Sequence, residues 1–204
     1  MVAVGNVQVA KYQLVVAGVH KMVLGIDKVL ELVKNKNLVE NLSEKEPEGV
    51  ELELRVGEVY MLNESEEYSL HIRKRNLPKE ILLARYEGKE GTFVKLEPET
   101  YYLFKTIESL NTPENIFPLL APRTTLQRSG IRLFYSTTSP GYKGPLVVGA
   151  YNFNKRPFEL ELGAHILKIS FHEVDGTSKL YNGQWQGGRI STFGKEEKQT
   201  GFKK

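Results

Sequence analysis

The stretch "VELELRV", residues 50–56, alternates apolar and charged side chains without interruption. Its apolar members are Val50, Leu52, Leu54 and Val56. Successive side chains of a β-strand point to opposite faces, so this period of two predicts a strand with one face in a core and the other in solvent.

Two further stretches repeat the alternation, "YSLHIRKR" at 68–75 and "FELELGAHILKISF" at 158–171. Gly, Pro and Asn punctuate the segments between such stretches, as expected of turns. Only "DKVLELVKNKNL", residues 27–38, has apolar residues at helical spacing, and Asp27 is its expected N-cap. The sequence therefore predicts a mainly β protein of the sandwich or barrel-like kind, with one short N-terminal helix.

The composition excludes several classes of function. The 204 residues contain no cysteine, which excludes disulfides, thiolate metal sites and a cysteine nucleophile. This suits a reducing compartment, and we expect a cytoplasmic protein. The net charge of +3 gives no general signal for nucleic acid. No apolar run approaches the roughly 20 residues of a membrane span, so no membrane partner is expected.

The four histidines do not predict a metal site. They are His20, His71, His165 and His172. They are scattered along the chain, and no pair has the spacing of metal ligands. Surface or hydrogen-bonded histidines are the simpler interpretation.

The segment "APRTTLQRSG", residues 121–130, concentrates basic and hydroxyl side chains. Arg123 and Arg128 flank Thr124 and Thr125. Guanidinium groups bind phosphate oxygens in pairs of hydrogen bonds, and hydroxyl groups fill the remaining lone pairs. The segment predicts an oligophosphate site, although a solvated basic turn would have the same composition.

Five segments resemble motifs of the dCTP deaminase and dUTPase superfamily, and they occur in the family's order. "PRTTLQRSGI" is similar to its "GRSSLARLG" type of motif, and "SPGYKGPLVV" to its "DPG-aromatic-x-G" motif. The other three are "LELRVGEVY" at 52–60, "KTIE" at 105–108 and "LYNGQWQGG" at 180–188. From the first to the last, they span most of the chain from Asp27 onward.

The resemblance implies a distorted β jelly-roll of the dUTPase-like β-clip type that assembles as a homotrimer with active sites between subunits. It also implies a deoxynucleoside triphosphate as ligand, with Mg²⁺ bound through the triphosphate. We expect three parts in the chain: extension strands at 1–20, the family domain at 21–182, and a Gly-rich C-terminal arm at 183–204 that closes over the site.

The resemblance also implies roles for individual residues. Phosphate binding would fall to Arg123, Thr124, Thr125, Arg128 and Arg189. The pocket for base and sugar would include Ser139 and Tyr142. The closing C-terminal segment would use Tyr181, Gln184, Gln186, Gly187 and Gly188.

Two departures from the family motifs affect the chemistry. Ser139 stands where dUTPases have the aspartate that activates the attacking water, and a serine hydroxyl is no base near neutral pH. Gly149 stands where deaminases have the glutamate that carries protons to the cytosine ring. Glu108 is the best candidate for a replacement base, and an ion pair with Arg123 or Arg128 is its structural alternative.

Two functional hypotheses stay open on this basis. The chain is either an enzyme that hydrolyses dUTP to dUMP and pyrophosphate or deaminates dCTP, or a catalytically silent nucleotide-binding trimer. Hydrolysis ranks ahead of deamination, because dUTPases do without the glutamate that Gly149 replaces.

Overall fold

The computed structural model describes residues 23–43, 45–63 and 67–199. The predicted extension strands at 1–20 and His20 lie outside the described residues. Within the described part, no helix combines the length and the apolar character that crossing a membrane requires.

Thirteen strands and two helices make up the described fold. The helices are α1 (Ile26–Lys36) and α2 (Thr124–Arg128). The first seven strands are β1 (Val39–Glu40), β2 (Leu52–Leu62), β3 (Ser69–Leu70), β4 (Lys74–Asn76), β5 (Glu80–Arg85), β6 (Phe93–Leu96) and β7 (Tyr101–Asn111). The others are β8 (Ile116–Pro122), β9 (Ile131–Phe134), β10 (Lys143–Asn152), β11 (Phe158–Glu161), β12 (His165–Glu173) and β13 (Glu197–Lys198).

An eight-stranded antiparallel sheet forms the body of the protein. Its order is β8-β12-β2-β7-β10-β9, with β1 added to β7 and β5 to β2. The register shifts within four of its strand pairs, β2–β7, β2–β5, β12–β2 and β10–β7. Such bulges bend a sheet and increase its twist. The prediction of a mainly β fold is confirmed.

The alternation of "VELELRV" is reproduced in β2. Leu52, Leu54 and Val56 are buried, whereas Val50 lies before the strand and is exposed. The stretch "FELELGAHILKISF" forms β11 and β12, with a turn between them. Burial of one face of these strands is the physical reason for their period of two.

The prediction of one regular strand for "YSLHIRKR" is wrong. The chain reverses where the backbone N–H of His71 donates to the carbonyl of Lys74, which leaves only the short strands β3 and β4. These belong to a small three-stranded sheet with β13. Leu70 and Ile72 are 76% and 81% exposed, so their alternation does not correspond to a core face.

The helices differ from the prediction in two respects. Gly25, not Asp27, is the N-cap of α1, and Asp27 lies in the first turn, where its charge suits the helix dipole. A second helix, α2, is present in the segment that was predicted to bind phosphate. Five residues are too few to show a helical period in the sequence, so α2 could not be predicted from spacing.

Candidate functional site

A cavity of about 450 Å³ lies between the main sheet and the C-terminal arm. We call residues 139–144 the glycine turn. The walls of the cavity come from β7, β10, the segment before the glycine turn, and the arm. The hydroxyl-bearing and charged residues that line it are Tyr101, Tyr135, Ser136, Thr137, Thr138, Ser139, Tyr142, Tyr181, Arg189 and Ser191. Among the described residues, no aspartate, glutamate or histidine lines this cavity.

The glycine turn is held rigidly against the sheet. The backbone N–H of Gly141 donates to the carbonyl of Thr112, and the N–H of Thr112 donates to the carbonyl of Tyr142, both at 2.9 Å. The hydroxyl of Tyr142 donates to the carbonyl of Pro145 at 2.6 Å. Burial raises the pKa of Tyr142 to about 12, so the phenol stays neutral and keeps this hydrogen bond. The turn therefore presents Ser139 to the cavity from a fixed backbone.

The C-terminal arm docks onto this turn. The side chain of Gln186 accepts a hydrogen bond from the N–H of Lys143 at 2.9 Å and donates one to the carbonyl of Gly141 at 3.0 Å. The N–H of Gly187 donates to the carbonyl of Lys143 at 2.8 Å. Two motifs separated by about 40 residues in the sequence thus form one structural unit.

Glycine is required where the two segments cross. Gly144 has a φ of 120°, and a Cβ there would lie 2.7 Å from the Cα of Gly187. A Cβ at Gly188 would lie 2.6 Å from Cγ of Pro145. Contacts below 3.0 Å are too close for real Cβ atoms, so a side chain at either position would push the arm away from the turn.

An aromatic and ionic cluster holds the arm beside the cavity. The guanidinium of Arg75 lies 4.1 Å from the centre of the Trp185 ring, and that of Arg189 lies 5.7 Å from it. Both arginines pair with Glu197, at 2.8 Å and 2.7 Å. Arg75 also donates to the side-chain oxygen of Gln184 at 2.9 Å. The Arg75–Glu197 contact joins residues 122 positions apart, so no sequence spacing predicts this cluster.

Acid is expected to release the arm. Partial burial favours the protonated form of Glu197, but the hydrogen bonds from Arg189 and Arg75 outweigh it, and the pKa of Glu197 lies below its ordinary value. A lowered carboxyl pKa stabilises the folded arm above the ordinary pKa of about 4.5, and this contribution disappears as the pH falls through the lower, folded value. Trp185 is the single tryptophan of the chain, so its emission maximum should shift to the red between pH 6 and pH 3.

The control for the acid prediction is Glu197→Gln. This variant has no carboxyl group to protonate at position 197, so its tryptophan emission should change less than that of the wild-type protein between pH 6 and pH 3. Identical titration profiles for the two proteins would contradict the assignment of the transition to Glu197.

The predicted phosphate-binding residues of the segment "PRTTLQRSGI" lie away from the cavity. Arg123 pairs with Glu53 at 3.0 Å, and Lys45 binds the same carboxylate oxygen at 2.6 Å. Thr124, Thr125 and Arg128 are exposed on α2. None of the four predicted residues lines the cavity, whereas the predicted Arg189 does. One chain therefore does not bring all the predicted phosphate ligands together.

Glu108 also lies away from the cavity. It is a fully buried residue of β7 and accepts hydrogen bonds from the backbone N–H and Nε of Arg55, both at 2.7 Å. Burial raises the pKa of Glu108, and the contacts with Arg55 oppose this shift. Glu108 does form an ion pair, as the structural alternative predicted, but its partner is Arg55 and not Arg123 or Arg128.

A side chain at Gly149, the position that the resemblance aligns with the deaminase glutamate, would collide with Tyr101 unless the tyrosine moved. Gly149 lies on β10, and a Cβ at this position would be 2.8 Å from Cζ of Tyr101 and closer still to its hydroxyl. Tyr101 itself lines the cavity. Sequence reasoning identified the missing side chain at Gly149 but not the tyrosine that fills its space.

Comparison with known proteins explains this combination of motifs. The family model described as dCTP deaminase-like matches residues 23–174, which is most of the chain. The chain belongs to the dCTP deaminase-like family. Its membership of the wider dCTP deaminase and dUTPase superfamily, predicted from five motifs, is thereby confirmed.

Proteins similar to this dCTP deaminase-like chain include both deaminases and nucleotidohydrolases. It is 31% identical over 111 residues to a dCTP deaminase of Pyrococcus furiosus, an alignment that covers 54% of this chain and 70% of the relative. It is 28% identical over 153 residues to a deoxyuridine 5'-triphosphate nucleotidohydrolase of Methanocaldococcus jannaschii, which covers 75% of this chain and 95% of that one.

A solved structure shares the fold. The crystal structure of 2'-deoxycytidine 5'-triphosphate deaminase from Agrobacterium tumefaciens superposes with a TM-score of 0.58 at 16% identity. The superposition covers 75% of this chain and 49% of that protein. At this identity the similarity shows the fold alone, and it confirms the β architecture predicted for a dCTP deaminase-like chain.

Proposed function

We propose that the chain binds a deoxynucleoside triphosphate in this cavity and acts in deoxypyrimidine nucleotide metabolism. The observation that carries the proposal is the docking of the C-terminal arm onto the glycine turn, because two family motifs meet there around one cavity. A cavity of about 450 Å³ falls in the range of small-molecule sites. Its tyrosines and apolar strand residues suit a base and a sugar.

The triphosphate would meet positive charge at the edge of the cavity. Arg189 lines the cavity, and its charge is balanced by Glu197 in the structure. Thr124, Thr125 and Arg128 are exposed, so they are accessible to a nucleotide held by a second copy of the chain. This separation supports a homotrimer with sites between subunits, in which α2 of one subunit would complete the phosphate site of its neighbour.

Mg²⁺ would arrive with the nucleotide. In the parts of the chain that the structure describes, there is no cluster of three or more His, Asp or Glu residues with metal-ligand geometry. The cavity walls likewise contribute no carboxylate there. A cavity lined in this way would suit an ion that is bound to the phosphates of the substrate and neutralises part of their charge, rather than one held by protein side chains.

Hydrolysis is the reaction we propose for the bound nucleotide. Water would attack the α-phosphorus of dUTP, the bond to the β-phosphate would break, and dUMP and pyrophosphate would leave. Deamination is disfavoured because the phenol of Tyr101 occupies the space of a side chain at Gly149. Silent nucleotide binding is the second candidate, and the absence of a carboxylate from the described cavity walls favours it.

Binding and turnover of four nucleotides test this proposal. The protein with Mg²⁺ is titrated with dUTP, dCTP, dTTP and dATP while Trp185 emission, pyrophosphate and ammonia are measured. Arg189→Gln should weaken binding at least about tenfold, since it removes a charge-assisted contact with phosphate. Glu197→Gln is the matched control, because it breaks the same ion pair and leaves the cation in place.

The outcomes separate the candidates. Pyrophosphate released from dUTP supports hydrolysis, whereas saturable binding without any product supports silent binding. Failure of the wild-type protein to bind any of the four nucleotides would overturn the proposed function. Equal weakening by Arg189→Gln and Glu197→Gln would show that arm docking, and not a phosphate contact, underlies the effect of Arg189.

A further inference from the structure

The phenol of Tyr101 lies over the side-chain position of Gly149. Tyr101 begins β7, and Gly149 pairs with Leu103 two residues further along the same strand. A Cβ on Gly149 would lie 2.8 Å from Cζ and 3.0 Å from Cε2 of Tyr101. The ring thus reaches along β7 and covers the bare backbone of β10 at this point.

The ring is positioned by its surroundings on the sheet. Its centre lies 6.1 Å from that of Phe134 on β9, the strand that flanks β10 on the other side. The backbone of Tyr101 is paired with Tyr151 of β10. Three neighbouring strands therefore determine where the phenol lies, and the lack of a side chain at Gly149 gives it the room.

The hydroxyl of Tyr101 is available to a ligand. Tyr101 lines the cavity and is 39% exposed. Within residues 23–43, 45–63 and 67–199, no group hydrogen-bonds its hydroxyl, unlike that of Tyr142. Burial raises the pKa of Tyr101, so the group is neutral at physiological pH and can both donate and accept.

We propose that Tyr101 contacts the base of the bound nucleotide through its hydroxyl and thereby determines base selection, at the place where Gly149 offers no side chain. The inference rests on the proposed nucleotide binding. A single hydroxyl that meets one edge of the base discriminates between bases, because the wrong edge leaves a polar group without its partner. Shape alone would discriminate less between bases of similar size.

Nucleotide discrimination tests the role of the hydroxyl. Dissociation constants for dUTP, dCTP, dTTP and dATP are measured with Tyr101→Phe and with Tyr151→Phe, a control that removes a phenol outside the cavity from the residue paired with Tyr101. Tyr101→Phe should weaken the tightest nucleotide about tenfold and the others less than about twofold. Tyr151→Phe should change none of them.

The results that overturn the inference differ from those that overturn the proposed function. If the wild-type protein binds nucleotides and Tyr101→Phe changes all four affinities equally or not at all, only the role of Tyr101 fails. If the wild-type protein binds none of them, both proposals fail. A purely structural role for the hydroxyl would weaken all nucleotides alike and leave their ranking unchanged.

The fit between Tyr101 and Gly149 is tested by a double-mutant cycle. Gly149→Ala should displace the phenol and weaken the preferred nucleotide about as much as Tyr101→Phe does. In a Tyr101→Ala background the same alanine has room, so it should change affinity less than about twofold. Equal effects of Gly149→Ala in both backgrounds would overturn the proposed coupling.

Discussion

Replacement of Arg55 by methionine is expected to lower the free energy of unfolding by about 3–5 kcal/mol. Methionine keeps much of the side-chain volume but removes the guanidinium that contacts the fully buried Glu108 at 2.7 Å. The carboxylate would keep the backbone N–H of Arg55 as a donor but lose its compensating charge. Urea-induced unfolding, monitored by far-UV circular dichroism, measures the difference.

Arg85→Met is the matched control for this prediction. Arg85 pairs with Glu58 at 2.9 Å, but its side chain is 61% exposed. Because water screens such a pair, its loss should cost less than about 1 kcal/mol. Equal destabilisation by the two variants would contradict the idea that burial of Glu108 makes the Arg55 contact important.

The two roles predicted for Glu108, a general base and a structural ion-pair partner, can be distinguished by experiment. If Glu108 stabilises the fold, Glu108→Gln should reduce stability and leave nucleotide binding and any turnover at their wild-type values at 25 °C. If Glu108→Gln instead abolished turnover at unchanged stability and binding, Glu108 would be the general base after all. The structure favours the first outcome, because Glu108 contacts Arg55 and does not line the cavity.

Replacement of Ser139 by aspartate is expected to raise the rate of pyrophosphate release from dUTP by about 10²–10⁴-fold. Ser139 lines the cavity and belongs to a turn whose backbone is hydrogen-bonded to Thr112 through the N–H of Gly141 and the carbonyl of Tyr142. A carboxylate at this place can hold the attacking water by a charged hydrogen bond and accept its proton, whereas the serine hydroxyl cannot. Initial rates at saturating dUTP with Mg²⁺ measure the gain.

Ser139→Asn is the control for the aspartate variant, since it matches the shape of aspartate without its charge. It should leave the rate at the wild-type value. Ammonia release from dCTP should stay at background in both variants, because the space at Gly149 remains filled by Tyr101. If Ser139→Asp and Ser139→Asn behave alike, the turn does not hold the nucleotide's α-phosphate near position 139.

The strand predictions succeeded where one face of the strand meets the core. Leu52 and Leu54 are buried in β2 as their alternation predicts, because the period of two in the sequence corresponds to one buried and one solvent-exposed face of the strand. The same pattern failed around Leu70 and Ile72, which are exposed in a short hairpin. Alternation reports a tendency to form strands, but it does not reveal whether another layer covers the apolar face.

The site was predictable only where it depends on contiguous motifs. Ser139, Tyr142, Tyr181, Gly188 and Arg189 were assigned to it from two short segments, and the fold brings all five to one cavity. Motif residues keep their local geometry wherever the segment docks, so their resemblance to the family is visible in the sequence.

Several contacts around the candidate site have no signal in the sequence. Trp185 packs against Arg75, and both arginines of the cluster share Glu197 from the C-terminal arm. Tyr101 fills the space at Gly149 only because their strands are neighbours in the sheet. The contacts of Arg75 and of Tyr101 arise from arm docking and strand register, which join residues about 50 to 120 positions apart, whereas Arg189 and Glu197 are close in the sequence.

The sequence by itself determined the β character, the family and the absence of a carboxylate at positions 139 and 149, since each of these depends on residue type and local order. Only the tertiary structure decided that Glu108 is paired with Arg55, that Tyr101 occupies the place of a side chain at Gly149, and that the exposed face of α2 lies apart from the cavity. The physical reason is that burial, charge pairing and steric room are properties of the space between strands. The sequence shows that position 149 has no side chain, but only the fold shows that Tyr101 fills the space beside it.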